Sequence, residues 1–142
     1  MVTALSSTDY RIVVEQAPLM IWRTDPHGKC DYFNRRWLSF TGRTMADELG
    51  DGWLNGVHPD DRDRCLKTFL DAFEMRMEFE MEYRLRRYDG EYRWIVDTGG
   101  PIYDVNGRFL GYVGSAVDCH DRVDARAILA RTNLKNLGLD GV

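Results

Sequence analysis

The sequence predicts an α+β domain in which helices cover one face of a five-stranded antiparallel sheet. The clearest observation is that apolar and charged residues alternate strictly over residues 77–86, as they do in a strand with one buried and one solvated face. Turn signals at 89–90 and 106–107, Asp-Gly and Asn-Gly, separate this strand from two further strand-like runs. Upstream, residues 60–74 carry an apolar stripe at helical spacing, which predicts the longest helix of the covering layer.

Length and composition fit one globular domain. The 142 residues suffice for a hydrophobic core, and 44% hydrophobic with 30% charged residues is ordinary for a soluble protein. The net charge is −4, and the sequence has no block of like-charged residues. We therefore expect neither nucleic acid nor an anionic membrane as a partner. No apolar run reaches the ~20 residues of a membrane span, and no signal-peptide pattern opens the sequence.

The cysteines and histidines indicate neither a disulfide framework nor a metal site. Cys30, Cys65 and Cys119 are an odd number at unrelated spacings, which is typical of a reducing compartment, so we expect a cytoplasmic protein. The three histidines lie at no metal-ligand spacing from cysteines or carboxylates.

The N-terminal half predicts a helix, two strands and several short helices. Residues 1–9 are expected to be disordered, and an amphipathic helix then runs from Tyr10 until Pro18 ends it. Residues 19–24 and 29–33 predict two strands joined by a turn. Short helical segments follow, the first of them capped by Asn34.

The second half begins with a long helix and ends with another. His58-Pro59 opens the long helix, in which Cys65, Leu66, Phe69, Leu70 and Phe73 form the apolar stripe. In the strand that follows the first hairpin, residues 99–101 (Gly-Gly-Pro) predict a kink or bulge. We assign residues 10–118 to the domain and residues 119–142 to an exit helix or linker.

This order of elements resembles the PAS sensory domain, and specifically the subgroup with a C-terminal PAC motif. The resemblance covers residues 10–118. The residues that carry it are Ala17, Pro18, 22–25, Gly28, 34–37 and 40–42 in the first part, Trp53 and 57–62 at the start of the long helix, and 82–87, 89–95 and 111–118 in the PAC strands.

The resemblance implies a cytoplasmic signalling module that encloses a small cavity. In some PAS domains the cavity holds haem, flavin, another chromophore or a metabolite, and in others it is empty. The family usually dimerises through flanking helices and passes a signal to an output domain, such as a histidine kinase or a diguanylate cyclase. The alternative is a stand-alone module for protein interaction or dimerisation that binds no ligand.

The aromatic residues admit two interpretations, a packed core or a cavity for a small apolar or aromatic ligand. Polar groups for such a ligand would come from tyrosine, serine and tryptophan side chains. The candidate lining is Met20, Trp22, Cys65, Phe69, Phe79, Met81, Tyr83, Trp94, Tyr112 and Ser115.

Two departures from the family argue against familiar cofactors. The region comparable to the cysteine motif of flavin-binding light sensors, residues 53–58, contains no cysteine, so we expect no photoactive flavin adduct. Haem-binding PAS domains use a histidine on the long helix, and residues 60–74 contain none. We interpret His58 as a helix-capping residue and Cys65 as a small buried hydrophobe rather than an axial thiolate.

The flanking helices predict a homodimer. The first helix is too small to bury its apolar face alone, and the exit helix has the 4-3-4 spacing of a short coiled-coil seam. The candidate interface is Tyr10, Val13, Val14 and Ala17 in the first helix, with Val123, Ala127, Ala130 and Leu134 in the exit helix. Leu137 would continue this seam.

Two further expectations concern signal transmission and catalysis. The family often closes its last strand with Asp-Ile-Thr, and here Asp118 matches, while His120 replaces the threonine and is expected to cap the exit helix or bond Asp118. No nucleophile–base pair and no phosphate-binding glycine loop is present, and adjacent Asp60 and Asp61 cannot share a helix face. We expect no enzymatic activity.

Overall fold

The computed structural model describes residues 5–136 and confirms the α+β fold. The elements in chain order are α1 (Ser7–Gln16), β1 (Met20–Thr24), β2 (Cys30–Phe33), α2 (Arg35–Thr41), α3 (Met45–Glu48), a 3-10 helix (Gly52–Gly56), α4 (Pro59–Met75), β3 (Phe79–Arg86), β4 (Tyr92–Tyr103), β5 (Phe109–Asp118) and α5 (His120–Asn136). None of the described helices is long and apolar enough to cross a bilayer.

The five strands form one antiparallel sheet in the order β2-β1-β5-β4-β3. The first and last strands are therefore neighbours at the centre, with Met20 opposite Ala116. Residues of α2, α4 and the 3-10 helix pack with the inward-facing residues of the sheet in a single core. We call the sheet face towards this core the inner face, and the opposite side the outer face.

Strand β3 confirms the predicted alternation, but it starts two residues late. Phe79, Met81, Tyr83 and Leu85 are buried, whereas Met77 is 58% exposed. The Met77 N–H still donates to the Ala72 carbonyl at 3.0 Å, because the chain leaves α4 through a left-handed C-cap. Met77 therefore belongs to the end of the helix rather than to the strand.

The predicted kink at residues 99–101 is wrong. Strand β4 keeps a continuous register with β5 through this segment, and the irregularity lies later, between Ile102 and Tyr103. A Cβ atom on Gly99 would lie 2.8 Å from the Phe79 ring, and one on Gly114, its partner on β5, would lie 2.1 Å from the Trp22 indole. The glycines make room for aromatic rings within a continuously paired strand.

Helix α4 begins as predicted, and its stripe is narrower than predicted. The His58 ring caps it, with Nδ1 accepting a hydrogen bond from the Asp60 N–H at 3.1 Å. Cys65 and Phe69 are buried in the core, but Leu70 is 49% exposed. Since successive helical residues point about 100° apart, Leu70 lies at the solvated border of the stripe.

The first helix starts earlier than predicted. The Ser6 hydroxyl accepts from the Asp9 N–H at 3.0 Å, and the Asp9 carboxylate accepts from the Ser6 N–H at 2.9 Å. This capping box begins α1 at Ser7, so the expected disorder through residue 9 is wrong from that residue onwards. The expectations for residues 1–4 and 137–142, Leu137 included, lie outside the described residues.

Candidate functional site

The inner face and α4 enclose an aromatic cluster with little free space. The Trp22 ring stacks on Phe79 at 6.0 Å between centroids and meets Phe69 edge-on at 6.2 Å. A small cavity of about 20 Å³ lies inside this cluster. Its lining is Trp22, Cys30, Phe33, Trp37, Trp53, Phe69, Phe79, Met81 and Asp97.

The cavity has room for about one water molecule, because a cavity needs roughly 10–15 Å³ of space accessible to a water-sized sphere to hold one. Pockets for cofactors and metabolites are usually about 300–1,000 Å³. The observed conformation therefore favours a packed core over a pocket for an apolar or aromatic ligand, because a ligand of that kind would have to separate the aromatic rings.

Asp97 is the unexpected member of the cavity wall. It is 3% exposed, and its two carboxylate oxygens accept hydrogen bonds from Trp22 Nε1 and the Tyr83 hydroxyl, each at 2.7 Å. Burial raises the pKa of Asp97 to about 7, against the two hydrogen bonds, which lower it. Among residues 5–136, no cation forms an ion pair with this carboxylate.

Two other buried carboxylates, in contrast, are paired with arginine. Glu48 accepts from Arg43 and from Trp37 Nε1. Asp61, at the start of α4, receives Arg84 Nε at 2.9 Å and Nη2 at 2.8 Å. The Arg84 guanidinium lowers the pKa of Asp61 to about 2.

The structure brings eight of the ten candidate lining residues to the core and excludes two. Trp94 lies on the outer face, opposite Arg84 in the β3–β4 register, with the guanidinium carbon 5.1 Å from its ring centroid. Ser115 also faces outwards, between Ile21 and Thr98. Of the eight inward residues, only Trp22, Phe69, Phe79 and Met81 line the cavity itself.

Several cavity residues were missed by the sequence reasoning. Trp37 and Trp53 reach the core from the short helices, and Cys30 joins them from β2. Phe33, which the sequence places in its aromatic set, is paired with Trp22 across β1 and β2. Asp97 carried one signal, since it stands two residues from buried Ile95 on the same strand and therefore shares its face.

Tyr112 and the inward-facing cysteines Cys30 and Cys65 have structural roles. The Tyr112 hydroxyl lies 2.7 Å from both the Ala72 and the Met77 carbonyl oxygens, and so ties the end of α4 to β5. Burial raises the pKa of the Cys65 thiol to about 12 and also raises that of Cys30. Both therefore remain protonated at neutral pH and act as small apolar side chains.

The outer face carries an open groove instead of a closed core. A cavity of about 660 Å³ lies between α1 and the outward residues Ile21, Tyr32 and Val113. No residue of α1 is fully buried, and Tyr10 and Val13 are more than half exposed. Val14 and Ala17 are half-buried.

The exit helix contains the other half of the predicted interface. Val123 is half-buried and Ala130 is exposed, whereas the side chains of Ala127 and Leu134 lie outside what the structure describes. The interface remains a prediction, since only one chain is described.

The start of α5 is attached to the backbone of Trp94 on β4. The Cys119 N–H donates to the Trp94 carbonyl at 2.9 Å, and the Trp94 N–H donates to His120 Nδ1 at 3.2 Å. Asp118 accepts from the His120 N–H at 2.9 Å and from Arg93 Nε at 2.6 Å. The two predicted transmission residues thus both hold the junction between sheet and exit helix.

Within the described range, no group of three or more His, Cys, Asp or Glu side chains is arranged to hold a metal ion.

The chain is similar to proteins that include histidine kinases. A sequence model of the PAS fold matches residues 31–116. An uncharacterized protein of Sinorhizobium fredii, y4lL, is 44% identical over 120 residues, which are 84% of this chain and 14% of that protein. The peroxide stress-activated histidine kinase mak1 of Schizosaccharomyces pombe is 27% identical over 113 residues, 79% of this chain and 7% of the kinase. The chain thus spans a small part of both relatives.

The structural comparison agrees with the sequence comparison. A sensory box histidine kinase/response regulator from Burkholderia thailandensis superimposes with a TM-score of 0.64 at 28% identity, covering 89% of this chain and 98% of that one.

Proposed function

The chain belongs to the PAS family of sensory domains, and from that premise we propose that it acts as a cytoplasmic input domain by pairing with a second copy of itself. The pairing uses α1, the outer sheet face and the exit helix. The signal passes to an output domain of histidine kinase or diguanylate cyclase type, carried in cis or held as a partner in trans.

The observation that carries this proposal is the contrast between a nearly filled core and an unfilled outer groove. The cavity of about 20 Å³ leaves little room for a cofactor, while about 660 Å³ lies open beside α1. A ten-residue helix without one fully buried side chain gains little from its own domain. A second copy would cover Tyr10 and Val13 and give α1 the apolar contacts that it lacks.

The anchoring of α5 supports transmission along the same route. Because Cys119 and His120 bond the backbone of Trp94, a displacement of the sheet on pairing moves the base of the exit helix with it. The alternative, a stand-alone interaction module, would use the same surfaces without an output domain. Sensing of a small ligand would require the core to open, and native mass spectrometry of the purified protein would detect a retained molecule.

Three matched substitutions of apolar residues by aspartate test the pairing. Val13→Asp on α1 and Leu134→Asp on α5 are expected to shift the protein towards monomer in sedimentation velocity, because each places a charge in the interface. Val105→Asp is the control, since Val105 is fully exposed on the β4–β5 turn. The proposal is wrong if all three variants and the wild type sediment alike.

A further inference from the structure

We propose that Asp97, Tyr83 and Trp22 form a proton-sensing site within the core, and that its protonation state is passed to the start of α5. The inference is independent of the pairing proposed above. It begins from an oddity of the core: Glu48 and Asp61 each contact an arginine, whereas Asp97 has only two neutral donors. A buried carboxylate without a cation is costly, so such groups often serve a function.

The geometry identifies the oxygen that takes the proton. Asp97 Oδ1 faces Trp22 Nε1, and an indole nitrogen can only donate. Asp97 Oδ2 faces the Tyr83 hydroxyl, which can donate or accept. A proton therefore adds to Oδ2, which can then donate to the Tyr83 hydroxyl oxygen, while the Tyr83 hydroxyl hydrogen gives up its bond to the carboxylate. One bond of the cluster reverses its direction.

Among the described residues, none of the side chains that face Asp97 from the neighbouring elements carries a charge at neutral pH. Trp22 faces it from β1, Cys30 from β2, Tyr83 from β3 and Cys65 from α4, while its partner on β5 is uncharged Ala116. Trp37 and Trp53 complete the cavity wall from α2 and the 3-10 helix.

The two thiols and the phenol stay neutral at physiological pH. Burial raises the pKa of Cys30, of Cys65 and of Tyr83 above their usual values. Burial likewise raises the pKa of Asp97, to about 7.

A short path joins this site to the exit helix. Asp97 lies opposite Ala116 on β5, and Ile95, two residues earlier on β4, lies opposite Asp118. Trp94, the residue before Ile95, holds Cys119 and His120 through its backbone N–H and carbonyl groups. Loss of the proton places an uncompensated charge in the core, which favours opening of the strands around it. We expect the base of α5 to loosen as the pH rises.

The first test compares the pH dependence of thermal unfolding in the wild type with Asp97→Asn and Asp61→Asn. The folded-state pKa of Asp97 is raised above its unfolded value, so folding takes up a proton between about pH 4 and pH 7. The wild-type melting temperature should therefore fall relative to Asp97→Asn as the pH rises from 5 to 8.5. Asp61→Asn should keep the wild-type slope, because Asp61 is paired and titrates at a much lower pH. Parallel wild-type and Asp97→Asn profiles would refute the site.

The second test measures hydrogen exchange at the base of α5, corrected for intrinsic rates, at pH 6 and pH 8. We expect protection of the Cys119 N–H to fall several-fold at pH 8 in the wild type and to stay constant in Asp97→Asn. A pH response that persists in Asp97→Asn does not come from Asp97 and overturns the proposed path.

Tyr83→Phe provides an independent check if Asp97→Asn does not fold. This substitution removes the Tyr83 hydroxyl, whose hydrogen bond favours the charged form of the Asp97 carboxylate. The pH at which Asp97 is half-protonated should therefore rise, and the infrared carbonyl band of the protonated acid measures it. A midpoint that does not move contradicts the assignment of Oδ2.

Discussion

The two faces of the sheet use the same strands for different purposes. On β3, Phe79, Met81 and Tyr83 face a core of interlocking rings, while Glu80 and Glu82 between them face water. The inner face supplies most of the apolar burial and hence the stability of the fold. Among the described residues, α1 lies beside part of the outer face and leaves an open groove there, so this face contributes less apolar burial.

The largest effect that separates the faces is expected from Phe79→Ala. Phe79 contacts Trp22, Phe69 and Tyr112, so its loss should lower the free energy of unfolding by about 3–5 kcal/mol in urea titrations. Glu80→Ala, the next residue on the outer face, should change it by at most about 0.5 kcal/mol. Similar losses in both variants would mean that the faces are not energetically distinct.

A second pair of variants tests the close contact between Gly114 and the Trp22 ring. Gly114→Ala places a methyl group 2.1 Å from the present position of the Trp22 indole, so the ring or the strand must move. We expect a loss of about 1–3 kcal/mol in the same titration, as for other overpacked cores. Ser115→Ala, one residue along on the outer face, should have almost no effect. An unchanged free energy of unfolding for Gly114→Ala would show that more space separates Gly114 from the Trp22 ring than the structure indicates.

A third expected effect, which vanishes in acid, concerns the ion pair that joins an outer-face residue to the helical layer. Arg84 leaves the outer face of β3 and reaches Asp61 at the start of α4. Because the folded-state pKa of Asp61 is lowered to about 2, the pair stabilises the fold above about pH 4 and loses its effect as the pH falls towards 2. Asp61→Asn should therefore be about 2 kcal/mol less stable at pH 7. The difference from wild type should shrink in acid, and a constant difference from pH 7 to 2.5 would contradict this.

The sequence predicts which side chains of a strand point inwards only where the opposite side of that strand faces solvent. Strand β3 lies at the sheet edge, and its charged residues alternate with apolar ones, so Phe79 to Leu85 were placed correctly. Strands β4 and β5 lie further inside, and small residues such as Gly114 and Ser115 carry no hydrophobic contrast. Only the pairing register, with Trp94 opposite Arg84, decides which way those side chains point.

The candidate site was less predictable than the fold. A tryptophan suggests burial and an aspartate suggests solvent, and here Trp94 and Asp97 reverse both expectations. Trp94 is covered by the Arg84 guanidinium on the outer face. Asp97 is tolerated inside because two specific donors reach it from β1 and β3. Such donors are 75 and 14 residues away in sequence, beyond the range of any local pattern.

The central position of β1 and β5 has a mechanical consequence. Since Met20 lies opposite Ala116, the polypeptide enters and leaves the sheet at one end. Tension applied through α1 and α5 would peel these two antiparallel strands apart one hydrogen bond at a time, as a zipper opens, instead of shearing the whole ladder together. Separation of the two strands under tension would therefore begin at the end where both flanking helices join the sheet.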